Sequence, residues 1–167
     1  MLGFIKFMAI ILTLVDERLI HGSVTGSWIA YTKPKFLVVA HDDSANDPTK
    51  KMILEMAAPK SVSLSILSVE DTGKKILSGA ADKGNVMLLL HNLIDLYKLS
   101  EMGVNFDVVT LSHILHKPDR EERRLDYGVV VGQDEIKILR GMMDQGVEFE
   151  VRPVPTYRVK KLKTLLQ

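Results

Sequence analysis

Runs of apolar residues recur along the chain at intervals that predict β-strands separated by helices. Residues 10–15, 36–40, 85–90 and 106–111 are mostly apolar. Short runs of this kind are typical of parallel strands that are buried on both faces of a sheet. Residues 62–66 instead alternate between apolar side chains and serine, which predicts a strand near a sheet edge.

Helix-capping residues lie between these predicted strands. Asp47 precedes a proline at the first position of a predicted helix, Ser68 opens a capping box, and Asn92 caps a third helix. Later segments predict a strand at 127–131, a helix at 134–146, a strand at 147–151 and a basic terminal helix at 157–166. The alternation predicts an α/β fold, with a mainly parallel open sheet of about six or seven strands and helices on both faces.

Length and composition favour one domain and exclude several classes of protein. The 167 residues are expected to form a single domain over 1–167, in which residues 1–7 are an N-terminal extension. Lys and Arg number 22 against 21 Asp and Glu, so the formal charge of +1 gives no support to general nucleic-acid binding. The chain has no cysteine, which excludes disulfides and thiolate metal sites and suits the cytoplasm. The apolar run at its start is too short to span a bilayer.

Most of the candidate chemistry lies in the loop that follows the first predicted strand. Asp16, Arg18, His21 and Gly22 stand close together there, at the carboxyl end of a strand predicted to be central. Open α/β sheets bind their ligands at this end of the strands. The glycine permits unusual backbone dihedral angles, and free N–H groups at the start of the next helix attract anions.

These residues predict a phosphate site with a histidine nucleophile. A neutral, exposed imidazole held in one tautomer can carry a phosphoryl group on nitrogen, and we expect this role of His21. The planar guanidinium group of Arg18 is expected to bind phosphate oxygens. We expect Asp16 to hold Arg18 or to orient the imidazole ring, and Gly22 and Ser23 to contribute to phosphate binding at the start of the helix.

The same stretch resembles the signature of a known family. Residues 16–24 have the sequence Asp-Glu-Arg-Leu-Ile-His-Gly-Ser-Val, and Trp28 follows. This closely resembles the signature of the enzyme IIB component of the mannose/fructose/sorbose family of the sugar phosphotransferase system. Further segments resemble family landmarks and occur in family order, at 38–47, 58–59, 86–89 and 146–152. The resemblance covers about residues 9–166, which is nearly the whole chain.

The resemblance implies a protein-Nπ-phosphohistidine–sugar phosphotransferase. It implies that His21 accepts a phosphoryl group on Nδ1 from phosphorylated enzyme IIA and passes it to a sugar held by the membrane components IIC and IID. Neither a metal nor another cofactor is needed, because phosphohistidine is already an activated donor. The implied location is cytoplasmic, in peripheral association with the transporter. The identity of the sugar and the formation of a homodimer are left open.

Two segments depart from the family pattern. The family usually has glutamine where this chain has Ser23, and Gly-Gly-Met where it has Ser112, His113 and Ile114. The loss of the glycines predicts a reshaped second loop. These departures leave a second hypothesis, in which the chain is a divergent relative that is phosphorylated for regulation and is not coupled to a transporter.

Other candidate sites have weaker support. His41, Asp42 and Asp43 are contiguous and therefore point in different directions, which disfavours a metal site. His113 and His116 form only a two-ligand fragment, and the charged segment 112–126 is expected to be either a solvated surface or a flank of the active site. No glycine-rich nucleotide-binding motif follows any predicted strand. A histidine phosphatase would have arginine immediately before the histidine.

Overall fold

A seven-stranded, mostly parallel sheet organises the molecule, which is described from a computed structural model over residues 10–79, 84–118 and 120–167. The predicted extension, residues 1–7, lies outside the described residues. The strands are β1 Ile10–Asp16, β2 Phe36–Ala40, β3 Ser63–Leu67, β4 Val86–Leu90, β5 Val108–His113, β6 Glu122–Asp126, β7 Val129–Gly132, β8 Glu148–Val151 and β9 Lys160–Lys161. The helices are a π-helical segment Val24–Ile29, α1 Ala30–Thr32, α2 Asp42–Asn46, α3 Pro48–Ala57, α4 Val69–Leu77, α5 Leu93–Glu101, α6 Gln133–Asp144 and α7 Leu162–Leu165.

The strand order of the main sheet is β3-β2-β4-β1-β5-β8-β9. All neighbouring pairs are parallel except the last, in which β9 runs antiparallel to β8. The predicted α/β fold with a mainly parallel sheet is therefore confirmed. The serine-rich strand is also where its pattern placed it, because β3 is an outermost strand. β1 and β4 lie in the middle, as their continuous apolar sequences require.

Helices cover both faces of the sheet. In β2, Leu37 and Val39 belong to one hydrophobic cluster, together with Trp28 and Leu54 from the helices on that face. The alternate residues of β2 belong to a second cluster, which includes buried side chains of α4, α5 and α6. This alternation is the period of two expected for a strand that is buried on both faces. No helix within the described ranges is both long enough and apolar enough to cross a membrane.

The charged segment forms a separate hairpin, and the strand predicted at 127–131 is present in it as β7, Val129–Gly132, outside the main sheet. β6 and β7 pair antiparallel in their own two-stranded sheet. Gly128 adopts φ +74° in the turn between them, a conformation that favours glycine. Ile114 joins the hairpin to the main sheet, because its N–H donates to Gly128 O and its carbonyl accepts from Val130 N. The charged residues thus build an antiparallel extension beside β5.

The two remaining differences concern helices at opposite ends of the described chain. The helix predicted at 23–32 begins as a π-helical segment and becomes α-helical only at Ala30–Thr32. The predicted terminal helix shrinks to Leu162–Leu165, because Lys160–Lys161 pairs with β8 as a strand. Lys160 also forms an ion pair with Asp126 of the hairpin, 2.9 Å away. A local helical pattern has been overridden by pairing with the sheet edge.

Candidate functional site

The candidate site forms where two neighbouring strands end at the carboxyl edge of the sheet. β1 ends at Asp16 and β5 ends at His113, and the two residues are paired in the parallel register, with an irregularity between Val15 and Asp16. The N–H of Glu17 donates to the carbonyl of His113 at 3.0 Å. The site loop, residues 16–23, is therefore fixed at its start to the end of β5.

The loop turns sharply at Leu19. Its φ is +54°, an unusual value for a residue with a side chain. The turn is closed by hydrogen bonds from Leu19 N to Asp16 O, at 2.9 Å, and from Arg18 N to Asp16 Oδ1, at 3.0 Å. Leu19 and Ile20 are both buried in the apolar cluster beneath the loop. This burial holds the strained turn in place and directs His21 back towards Asp16.

The backbone conformation of Gly22 differs from the sequence-based expectation of unusual dihedral angles. It is absent from the glycines that adopt positive φ, and a Cβ built on it would meet no atom within 4 Å. The unusual dihedral angle of the loop is at Leu19 instead. The open space above Gly22 adjoins the His21 side of the loop, so the residue leaves room there and supplies no special conformation.

Asp16 is the centre of the hydrogen-bond network. Its side chain is fully buried, and its Oδ1 accepts from Arg18 Nε at 3.2 Å, while Oδ2 lies 3.0 Å from His21 Nε2 and 3.1 Å from Ser112 Oγ. Burial alone would raise the pKa of the Asp16 carboxyl, but the hydrogen bonds from Arg18 and His21 outweigh it and hold the pKa below its usual range. The carboxylate therefore stays charged inside the protein at neutral pH.

His21 is oriented by this carboxylate. Because the charged Asp16 only accepts, the Nε2 of His21 carries the proton and donates it to Oδ2. Nδ1 then keeps its lone pair. It faces Ser23, whose backbone N and Oγ both lie 3.4 Å away. The imidazole is 20% exposed, so solvent or a partner can reach it. These contacts thus select one tautomer of the neutral ring, with the proton on Nε2 and the lone pair on Nδ1.

Arg18 links the parts of the site. Its Nη2 lies 3.2 Å from Asp16 Oδ2, 3.3 Å from Ser23 Oγ and 2.7 Å from His113 Nδ1. Its Nη1 has no hydrogen-bond partner among the described residues. The predicted cluster of Asp16, Arg18, His21 and Ser23 is therefore brought together by the fold, with a cationic edge left over for an anionic ligand.

Three further residues take part. Ser112 and His113 belong to the segment 112–126, for which the sequence leaves open a solvated surface or a flank of the active site, whereas Glu17 has no predicted role. Ser112 is buried, and its hydroxyl lies 2.9 Å from Pro153 O as well as near Asp16. His113 contacts Arg18 from the end of β5. Glu17 accepts from Leu115 N at 3.2 Å and pairs with Lys117 at 3.1 Å. Knowing that β1 and β5 are neighbours would have pointed to all three.

Trp28 packs in the core, as its helical spacing predicted. Its side chain is buried in the cluster on that face of the sheet. The indole Nε1 donates to the carbonyl of Pro153 at 3.2 Å, and the guanidinium carbon of Arg152 lies 5.3 Å from the centre of the ring. The carbonyl of Pro153 therefore accepts hydrogen bonds from both Trp28 and Ser112. These bonds connect the segment after β8 to the residues beneath the site.

A second polar cluster lies along the same edge, at the ends of β2 and β4. The rings of His41 and His91 are tilted by 36° relative to each other, with their centres 4.4 Å apart. We call these two residues the His41–His91 pair. Burial, and then the neighbouring His91, lower the pKa of His41. Over residues 10–79, 84–118 and 120–167, no group of three or more His, Asp or Glu side chains has an arrangement that could hold a metal ion.

Comparisons with known proteins identify the family. The family model described as the sorbose-subfamily IIB component of the phosphotransferase system matches residues 10–167. The chain belongs to this family. It is 31% identical over 149 residues to the fructose-specific EIIB component of Bacillus subtilis, covering 89% of this chain and 90% of that protein. A solved structure from a phosphoenolpyruvate-dependent phosphotransferase system superposes with a TM-score of 0.85 at 29% identity, covering 95% of this chain and 98% of that one.

The protein is accordingly a IIB phosphoryl carrier of the fructose/mannose/sorbose type, acting in sugar uptake. Such IIB components work with IIA and with IIC and IID components. The chain is also 28% identical over 160 residues to the mannose-specific EIIAB component of Escherichia coli K12. That match covers 96% of this chain but only 49% of the relative, so this IIB component spans about half the length of the EIIAB protein.

Proposed function

We propose that this IIB component carries the phosphoryl group on Nδ1 of His21. It accepts the group from phosphorylated enzyme IIA and passes it to a sugar held by IIC and IID, on the cytoplasmic side of the membrane. The observation that carries the proposal is the orientation of His21. Nε2 is occupied by Asp16 at 3.0 Å, while Nδ1 is free to attack on the side where Ser23 and Arg18 lie.

The transfer step requires only the groups of this site and the phosphorylated donor. The Nδ1 lone pair of His21 attacks phosphorus, the phosphorus–nitrogen bond to the donor histidine breaks, and its electron pair returns to the donor nitrogen. Positive charge develops on the attacking imidazole, and the buried carboxylate of Asp16 stabilises it through the proton on Nε2. Passage to a sugar hydroxyl repeats the displacement with His21 as the leaving group.

The phosphoryl oxygens need donors near Nδ1. Ser23 offers its backbone N–H and its hydroxyl, both 3.4 Å from that nitrogen, and Arg18 offers the edge of a guanidinium that already lies 3.3 Å from Ser23 Oγ. Donors that are fixed before the reaction stabilise developing charge without having to reorganise. Ser23 can therefore contact the phosphoryl group directly, although it is shorter than the glutamine usual in the family.

The test is phosphoryl transfer from phosphoenolpyruvate through the general phosphotransferase proteins and a cognate IIA, with mass mapping of the acid-labile phosphate. We expect label on His21 in the wild type and a complete loss of label in His21→Ala with the fold retained. His41→Ala is the matched control, because it removes another partly buried histidine at the same sheet edge, and it should be labelled like the wild type.

Two outcomes would contradict the proposal. Full labelling of His21→Ala would place the phosphoryl group on another residue. Label on His21 that is not discharged by sugar and membranes containing IIC and IID would favour the regulatory relative, which the replacement at Ser112 and His113 suggested. Discharge by one sugar among several would identify the substrate.

A further inference from the structure

His113 is built into the site in a way that the transfer step described above does not use. Its Nδ1 lies 2.7 Å from Arg18 Nη2, which is the shortest contact that Arg18 makes. Its side chain is only 14% exposed, and the same nitrogen lies 4.0 Å from Asp16 Oδ2. His113 therefore borders the guanidinium group of Arg18 and lies near the carboxylate of Asp16.

The contact with Arg18 determines the protonation of His113. A guanidinium group can only donate hydrogen bonds, so Nδ1 of His113 must be the acceptor, and the proton of the neutral ring is on Nε2. A second proton on Nδ1 would remove the acceptor and place two positive charges against each other. In agreement with this geometry, burial, and then the charge of Arg18, lower the pKa of His113 in spite of the nearby Asp16.

The ring has little freedom to turn away from Arg18. A Cβ built on Gly128 would lie 2.8 Å from His113 Nε2, so only a glycine in the β6–β7 turn lets the imidazole fit. The ring of Tyr127 approaches edge-on, with centres 6.4 Å apart. The titratable and charged groups that face His113 are therefore Arg18, Asp16 and His21 from the site loop and β1, and Tyr127 from the turn.

We propose that His113 is a positioning residue that holds Arg18 in place for phosphoryl transfer only while its own ring is neutral. The inference rests on the proposed function of His21 and Arg18. When His113 takes up a proton, Arg18 loses its closest partner and is repelled, so the guanidinium no longer keeps its alignment with Ser23 and the migrating group. Because the family usually has glycine at this position, this acid sensitivity is a feature of this chain.

The test compares the rate of His21 phosphorylation in the wild type, His113→Gln and His113→Ala as a function of pH. Glutamine keeps a hydrogen-bond acceptor but does not titrate in this range, whereas alanine has neither property. Dividing the wild-type rate by the His113→Gln rate at each pH removes the titration of His21 and of the donor protein, which both reactions share.

We expect this ratio to stay constant above about pH 6.5, the ordinary pKa of histidine, and to fall as pH decreases below it, because the pKa of His113 is lowered. The full decrease should be about tenfold, which is the factor for losing one aligned charge-assisted hydrogen bond. At about pH 7.5, His113→Ala should transfer about tenfold more slowly than the wild type, and His113→Gln should recover part of that loss. His116→Gln is the matched control, because His116 is mostly exposed and pairs with Glu122, outside the site. Its pH profile should follow the wild type.

A ratio that stays constant with pH would overturn the inference, as would wild-type rates in His113→Ala at about pH 7.5. Both results presuppose label on His21. Absence of that label in the wild type would instead overturn the proposed function, and this inference with it. Thermal unfolding at each pH shows that the variants are folded.

A measurement on the wild type alone covers the case in which the variants do not fold. In the ¹⁵N spectrum of the imidazole rings at neutral pH, His113 should show a proton on Nε2 and an unprotonated, hydrogen-bonded Nδ1. The opposite tautomer, or a doubly protonated ring, would overturn the inference.

Discussion

Two buried carboxylates at the same edge of the sheet behave in opposite ways. Asp16, at the end of β1, receives hydrogen bonds from Arg18 and His21, and its pKa is held below the usual range. Asp95, in the first turn of α5, has an Oδ2 atom that is buried without a hydrogen-bond partner, and burial raises its pKa above the usual range. Each carboxylate lies in a region that also contains a histidine pair, His21 and His113 in one case and His41 and His91 in the other.

Both carboxylates are buried, so burial does not explain why their pKa values shift in opposite directions. The difference is that Asp16 has a cation in contact, the guanidinium group of Arg18. Burial without a cation in contact raises the pKa of a carboxyl, whereas a guanidinium group in contact stabilises the anion and lowers the pKa. Lys98 could serve Asp95, but its ammonium group lies 3.7 Å from the carboxylate of Asp42 instead. Only a charged carboxylate can fix an imidazole tautomer and then stabilise the charge that forms on it. Within the part of the chain that the structure describes, neither ring of the His41–His91 pair has a hydrogen bond with a carboxylate.

The largest expected effect comes from neutralising each acid in turn. Asp16→Asn should slow phosphorylation of His21 about 10- to 100-fold, because a hydrogen bond between charged groups contributes about 1.5–3 kcal/mol. Asp95→Asn should change the rate by less than about twofold, because the groups that act on Asp95 are Lys98, Asp42, His91 and Asn92, and not the Asp16 network. Single-turnover transfer from phosphorylated IIA measures both rates under the same conditions.

Equally slow phosphorylation of Asp16→Asn and Asp95→Asn would contradict the difference between the two carboxylates. That result would show that the whole edge of the sheet, and not the Asp16 network, determines the reactivity of His21. Circular dichroism on both variants checks that a slow rate is not due to unfolding.

The clustering of side chains around His21 could be predicted from the sequence because its surroundings are local. Asp16, Arg18, His21 and Ser23 lie within one loop, and a strand followed by a helix is enough to place them together. Continuous apolar segments predicted the central strands, and the alternating serines predicted the edge strand β3. These features follow from periods that are visible within a few residues.

The remaining parts of the site depend on contacts between distant segments. Ser112 and His113 reach Asp16 and Arg18 only because β5 is placed beside β1, and Glu17 reaches Lys117 because the segment that follows β5 contacts the site loop. Strand order is a property of the whole chain, so local patterns do not contain it. The positive φ at Leu19 also depends on tertiary structure, because it is maintained by the burial of that residue and of Ile20.

A smaller effect on the transfer rate is expected from a second pair of acidic residues, Glu17 and Asp42, of which only Glu17 belongs to the site loop. Glu17 anchors the loop to Leu115 N and Lys117, whereas Asp42 accepts from Val69 N at 2.7 Å at the other end of the edge. Glu17→Gln should slow transfer by no more than about fivefold, because a partly exposed ion pair contributes about 1 kcal/mol or less. Asp42→Asn, the matched control, should leave the rate within about twofold.

Lys117→Met supplies a second route to the Glu17 result. It removes the same ion pair from the other side and should slow transfer by a similar factor. A wild-type rate in Glu17→Gln together with a slow Lys117→Met would assign the effect to the other partner of Lys117, Glu135, which lies 3.1 Å away.

The smallest effect is a shift in stability with pH, and its sign is opposite for the two buried carboxylates. The raised pKa of Asp95 means that the folded protein loses stability as pH rises from the unfolded value of about 3.9 through the folded one. Asp95→Asn lacks this loss, so it should be more stable than the wild type at neutral pH by no more than about 1 kcal/mol. The gain should disappear in acid.

For Asp16 the pKa is lowered, so its contribution to stability is present above about pH 3.9 and is lost as pH falls through the folded pKa. Asp16→Asn should therefore be less stable than the wild type at neutral pH, and this deficit should shrink in acid. Urea unfolding of the three proteins at several pH values measures both differences. Destabilisation of both variants at neutral pH would mean that folding does not raise the pKa of Asp95, and the contrast between the two carboxylates would be wrong.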